Sequence, residues 1–229
     1  MKPAASKTTR TRGESFHLHM FLLLSGIVFL IWSGIHPNGR FNWLMESGPA
    51  ILGAMILVAV YPRFRFTNTS YILIWIFSLI LMTGGHYTYA EVPIGNWARD
   101  SFGLSRNHFD RLGHFFQGVI PAMLVRELLL RTSPLRPGKW LFVVSASIAL
   151  AISAAYELFE WQYAVLFGGK QADDFLGSQG DIWDAQKDMF MALCGAMVSQ
   201  LALGPLQLRQ MRSCSHHHPP ETPAPGSGN

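Results

Sequence analysis

The sequence predicts an all-α polytopic membrane helix bundle of about six transmembrane helices, with both termini in the cytoplasm. Three observations carry that expectation. Of 229 residues, 49% are hydrophobic and only 14% charged, whereas soluble domains carry roughly 25%. The apolar residues are gathered into blocks parted by short polar stretches, the pattern of repeated bilayer crossings. The cations cluster in particular loops, as the positive-inside rule requires, so the formal net charge of +4 does not point to nucleic acid.

Residues 1–15 hold Lys2, Lys7, Arg10 and Arg12 and no apolar run, and read as a basic cytoplasmic lead. The block from Phe16 to Ile35 is longer than the ~7–15 residues of a signal-peptide core and lacks its small-residue cleavage site. It ends in Gly-Ile-His-Pro-Asn and is read as a retained helix. Further blocks run from Glu46 to Tyr61, Tyr71 to Tyr89, His108 to Leu130, Lys139 to Tyr163 and Asp184 to Leu206. The second block is short, and the fourth is polar in its first half. Residues 16–206 therefore form the membrane domain, and 207–229 a disordered cytoplasmic tail. Its His216, His217 and His218 are solvated linker residues with at most weak metal affinity. Cys194 lies in an apolar block and Cys214 in the tail, so no disulfide framework is expected. Asn68-Thr69-Ser70 matches the glycosylation pattern but falls on the inner side.

Alternating the blocks across the bilayer puts twelve of the eighteen Lys and Arg residues inside and six outside. The acids divide the other way. Glu46, Glu91, Asp100, Asp110, Glu157, Glu160, Asp173, Asp174, Asp181, Asp184 and Asp188 fall outside, and only Glu14, Glu127 and Glu221 inside. Orientation rules do not require this, because acids contribute little to them.

Four helix ends meet on the outer side. His86 closes the third block, and Asp110 and His114 share a face of the fourth at i,i+4 spacing. Glu157 and Glu160 end the fifth, near a helix C-terminus that disfavours negative charge. Asp181, Asp184 and Asp188 form one stripe if the sixth helix starts at Asp181. A carboxylate at membrane depth needs a cation, a metal or a proton. Two histidines with carboxylates make a divalent metal a candidate cofactor, with His86, His114, Glu157 and Asp184 as its ligand set. Neither HExxH nor a phosphate-cradling loop is present. Each residue also has a plainer role. Ser178 to Asp181 and Asn107 to Asp110 match helix-capping patterns, and Arg111 and Lys187 can neutralise nearby acids. His86, Trp97, Trp161 and Trp183 suit the interface.

The segments His86-Tyr87-Thr88-Tyr89-Ala90-Glu91-Val92-Pro93, Arg106 to His114, Tyr156-Glu157-Leu158-Phe159-Glu160-Trp161 and Gly177 to Asp188 resemble the YjdF-like family of bacterial inner-membrane proteins. That resemblance implies inner-membrane placement and a multi-helix bundle, and no particular activity. Glu157 and Glu160 followed by Asp181, Asp184 and Asp188 are also similar, more loosely, to VanZ-like membrane proteins. Three functions are consistent with these residues. The first is binding or transport of a small molecule, ion or proton, which in so small a bundle favours a homo-oligomer. The second is a metal-dependent enzyme acting on a lipid or envelope precursor. The third is a structural or partner-binding role in which the acids only stabilise the fold.

Overall fold

A computed structural model describes residues 5–169 and 175–215, with side chains from residue 15 to residue 212 apart from that gap. Lys170, Asp173, Asp174, Glu221 and the three tail histidines lie outside the described residues. The described chain is all helix: α1 (Ala5–Ser33), α2 (Arg40–Val60), α3 (Asn68–Tyr87), a 3-10 turn (Tyr89–Glu91), α4 (Pro93–Phe102), α5 (Phe109–Thr132), α6 (Lys139–Phe167) and α7 (Asp184–Ser215).

Local chemistry sets the boundaries. Pro37, Asn38 and Gly39 separate α1 from α2. The Thr67 side chain accepts from the Ser70 N–H and caps α3. Pro93 opens α4, and Gly103, left-handed at φ +63°, closes it. Several boundaries differ from the sequence expectation. α2 starts at Arg40 rather than Glu46, because the polar stretch before Glu46 is helical and Asn42 within it is buried. α1 is already helical at Ala5, and α7 continues through 207–215, where a tail was expected. Gln207 explains that continuation: it is fully buried, accepting from Arg126 at 2.8 Å and donating to the Met123 carbonyl at 2.9 Å. α7 begins at Asp184, so Asp181 belongs to the preceding turn, where its carboxylate accepts from the Trp183 N–H at 3.1 Å.

Five helices (α1, α2, α3, α6 and α7) are long and apolar enough to cross a membrane. α5 matches them in length but carries Asp110, Arg111, His114, Arg126, Glu127 and Arg131. It holds that charge because it is the central helix, packed most extensively on α7, then on α6 and α3. A charged group facing lipid would cost several kcal/mol, and inside the bundle it finds partners. α1 and α2 pack on α3 and present mostly lipid-facing apolar side chains. α4 exposes Ile94, Trp97 and Phe102 beside Arg99 and Asp100, the composition of a helix lying in the interface. Trp161 and Trp183 are likewise exposed at that end.

Close approach joins α5 to α7. Gly118 lies against the Ala192 carbonyl and Gly195 against the Phe115 carbonyl, each too near for a Cβ. In lipid, association comes from such packing rather than from hydrophobic burial. Ala122, Ala146, Ala149 and Ala196 continue the small-residue seam to α6. Leu73, Val119, Ile120 and Met123 fill the side toward α3. This apolar layer separates two polar layers at opposite ends of the bundle.

Candidate functional site

The polar layer at the basic end is built on Glu127, which has no exposed surface. Its carboxylate accepts from the Thr67 N–H at 2.9 and 3.1 Å, and from the Thr67 and Ser70 hydroxyls at 2.9 Å each. Gln207 Nε2 at 3.2 Å and Arg131 Nη1 at 3.1 Å complete the set. The start of α3 and the ends of α5 and α7 are thereby tied to one acid. Every oxygen is satisfied, which is how a buried charge becomes tolerable.

The layer at the acidic end begins with two buried arginines. Arg106 donates to the Ser178 and Gly177 carbonyls at 2.9 Å each and to Asp184 at 2.6 Å. It also faces Asp110 at 3.6 Å and Asp181 at 3.8 Å. Arg111 donates to Asp184 at 2.6 Å and to Asp181 at 3.2 Å, and pairs with Asp188. The Gln179 amide locks the same two segments together: it accepts from the Asn107 N–H at 3.0 Å and donates to the Asn107 carbonyl at 2.9 Å. Asn107 in turn caps the start of α5 by accepting from the Phe109 N–H at 3.0 Å. Lys187, at 2.6 Å, and the Trp183 N–H hold the Asp181 carboxyl below its usual range.

Beneath this rim lies His114, 6% exposed. Its Nδ1 is 2.8 Å from Gln117 Oε1, and with the amide oriented this way Nδ1 carries the hydrogen. Nε2 then faces Asp110 Oδ1 at 3.5 Å and Asp188 Oδ1 at 3.9 Å, while Glu157 Oε1 stands 3.5 Å from Nδ1. Asp110 Oδ2, with Arg106 no nearer than 3.6 Å, and Glu157 Oε1 are buried with no hydrogen-bond donor, whereas Asp188 Oδ1 is held by Arg111. One ligand atom each from Asp110, His114 and Asp188 comes within 4.8 Å of the others, the one such trio among the described residues.

The expected ligand set is thus rearranged. His114 has Asp110 and Asp188 beside it. Asp184 is engaged by both arginines. His86 is used elsewhere: its Nδ1 donates to the Ser33 carbonyl at 2.9 Å and its ring stacks on Trp32 with centroids 4.7 Å apart. Glu160, buried on α6, lies within electrostatic reach of Glu157, Asp110 and Glu46.

Glu46 is the residue that sequence reasoning left out of the cluster. It is 2% exposed and within electrostatic reach of Tyr89, Asp110 and His114. Tyr156, its hydroxyl buried and without a partner, packs edge-on to His114 at 6.5 Å. The signal for Glu46 was its i,i+4 spacing from Asn42 at the start of an otherwise apolar helix. A recess of about 530 Å³, lined by His108, Arg111, Phe115, Lys187 and Phe190, opens beside the cluster between α5 and α7. In the apolar layer below, the Ser145 and Ser153 hydroxyls and Gln200 Oε1 are also buried without partners.

Fold and site together define a multi-pass helical membrane protein with a buried ionic cluster at one end. The chain belongs to the family described as predicted membrane protein (DUF2238), whose model matches residues 18–209. It is 47% identical over 185 residues to the inner membrane protein YjdF of Escherichia coli (strain K12), covering 81% of this chain and 88% of that one. No solved structure matches it. It is a multi-pass protein of the bacterial inner membrane. A likeness to VanZ-like proteins is not shown by these matches.

Proposed function

We propose that the protein binds a small cation, a proton or a divalent metal, at the point where His114 Nε2, Asp110 and Asp188 converge, with Glu157 as the neighbouring titratable group. The positive-inside rule places this point on the outer side of the membrane. The observation that carries the reading is the geometry of His114. With Nδ1–H directed at Gln117, a neutral ring would turn a bare acceptor nitrogen toward two carboxylates. A proton or a metal on Nε2 removes that conflict. The close α5–α7 seam beneath favours binding over an open path across the bundle.

The test is elemental analysis of purified wild type beside Asp110→Asn, His114→Gln and Glu157→Gln, paired with infrared difference spectra across a pH step. Stoichiometric metal lost in Asp110→Asn and His114→Gln identifies a metal site. A protonated-carboxyl band lost in Glu157→Gln, without metal, identifies a proton site. A wild type with neither contradicts the proposal.

A second reading follows from the trio itself. Two carboxylates and one imidazole leave positions for a substrate on a divalent metal, and the Glu157 oxygen without a donor is placed to take a proton. On this reading the protein is an enzyme acting on an outer-leaflet lipid or envelope precursor.

A further inference from the structure

At the other end of the molecule, α1 and α2 are joined by a short turn and both pack on α3, yet barely on each other. The opening between them is a slot of about 280 Å³, lined by Leu23, Ile27 and Leu30 of α1, Ala54 and Val58 of α2, and Trp75 of α3. Of the few polar groups along it, the Tyr71 hydroxyl is buried without a partner and the others are engaged. His19 bonds the Tyr61 hydroxyl at 2.8 Å and Asn68 Oδ1 at 2.9 Å, and the Trp75 indole donates to Ser25 at 3.1 Å. An occupant therefore meets hydrocarbon alone over most of the slot's length.

One end differs. Tyr61 and Pro62 line it and run directly into Arg63 and Arg65, both exposed. The Arg65 guanidinium sits 4.6 Å above the Tyr61 ring, and Arg131 donates to the Arg65 carbonyl at 2.5 Å. An apolar slot ending in a basic rim at a membrane surface is complementary to an amphiphile with an anionic head.

Dimensions decide between a lipid chain and a helix. The α1 lining extends from Phe16 to Leu30, roughly 20 Å at 1.5 Å per residue. A helix of that length occupies on the order of 2,000 Å³ at its 10–12 Å diameter, far more than the slot holds. A single extended hydrocarbon chain is thin enough, and ~20 Å takes it beyond the ~15 Å of one leaflet.

We propose that this slot holds one acyl chain of an anionic phospholipid of the inner leaflet, with its headgroup bound by Arg63 and Arg65. The site is separate from the cation cluster and independent of how that cluster functions.

Native mass spectrometry of the detergent-purified protein, titrated with phosphatidylglycerol or phosphatidylcholine of matched chains, tests it. Wild type should retain one phosphatidylglycerol with at least about tenfold preference, as two arginines at a membrane surface provide. Arg63→Gln combined with Arg65→Gln should bring that preference to about twofold or less. Ala54→Trp and Val58→Trp, which fill the slot, should weaken binding about tenfold or more, while Leu52→Trp on the exposed face of α2 should not. Equal retention of the two lipids by wild type overturns the proposal. So does undiminished binding in the slot-filling variants, or a lipid-free dimer in place of the lipid adduct.

Discussion

Glu127 and Glu157 are both buried carboxylates on long helices of one bundle, and their surroundings differ in one respect. Glu127 is met by the Thr67 N–H, two hydroxyls, an amide and an arginine. Glu157 keeps an oxygen with no donor, and so does Asp110 beside the same histidine. Burial alone therefore does not mark a functional acid in this protein. An acid whose lone pairs are all used stabilises the fold, and one left with unused lone pairs beside a histidine is available to a ligand.

Breaking the satisfied layer should have the largest effect. Glu127→Ala removes the common acceptor of α3, α5 and α7, leaving the Thr67 N–H without its acceptor and Arg131 with only the Arg65 carbonyl. It should cost about 3–5 kcal/mol, seen as a large fall in the unfolding midpoint or loss of folded protein. Arg111→Met, which leaves Asp181, Asp184 and Asp188 with less positive charge, should come close behind at roughly 3 kcal/mol. Gly118→Val attacks the apolar layer between the two sites. Forcing a side chain against the Ala192 carbonyl should cost about 1–3 kcal/mol by the same assay.

The smallest expected effect is at the rim. The Asp181 carboxyl is held below its usual range by Lys187, so its contribution is fully present above the ordinary aspartate value of about 3.9. It is lost as the pH falls through the lower folded value. Unfolding midpoints of wild type and Lys187→Ala should therefore differ slightly at neutral pH, and the difference should close on acidification.

How much of this was legible in the sequence follows the same division. Apolar runs bounded by polar loops are a local signal, and α1, α3, α6 and α7 could be read from them. α2 was foreshortened because Asn42 looks like a loop residue when its burial, with its amide donating to the Thr88 hydroxyl, is not known. With its helix starting at Glu46, that acid was counted on the outer side but stood at a helix end rather than in the buried cluster. The collection of acids at one end was visible as a count, and the pairings were not. Asp184 and Asp188 both start α7, but Asp184 meets two arginines whereas Asp188 lies between Arg111 and His114. His86 looked equivalent to His114 in sequence, yet it tethers α3 to the end of α1. Glu127 gave no local sign of its importance, since its partners come from residues 67, 70, 131 and 207. α4 was missed because ten residues are too few to register as a crossing.

The contrast between the two acids is tested most directly by one paired measurement: the unfolding midpoints of Glu127→Gln and Glu157→Gln against wild type, in the same detergent and buffer. An amide keeps the shape and removes the charge in each case. Glu127→Gln should lose about 2–3 kcal/mol, because an amide cannot accept from all of those donors. Glu157→Gln should stay within about 1 kcal/mol of wild type while losing the cation or the titrating carboxyl band. Equal destabilisation by both substitutions would contradict the account, making Glu157 as much a part of the scaffold as Glu127.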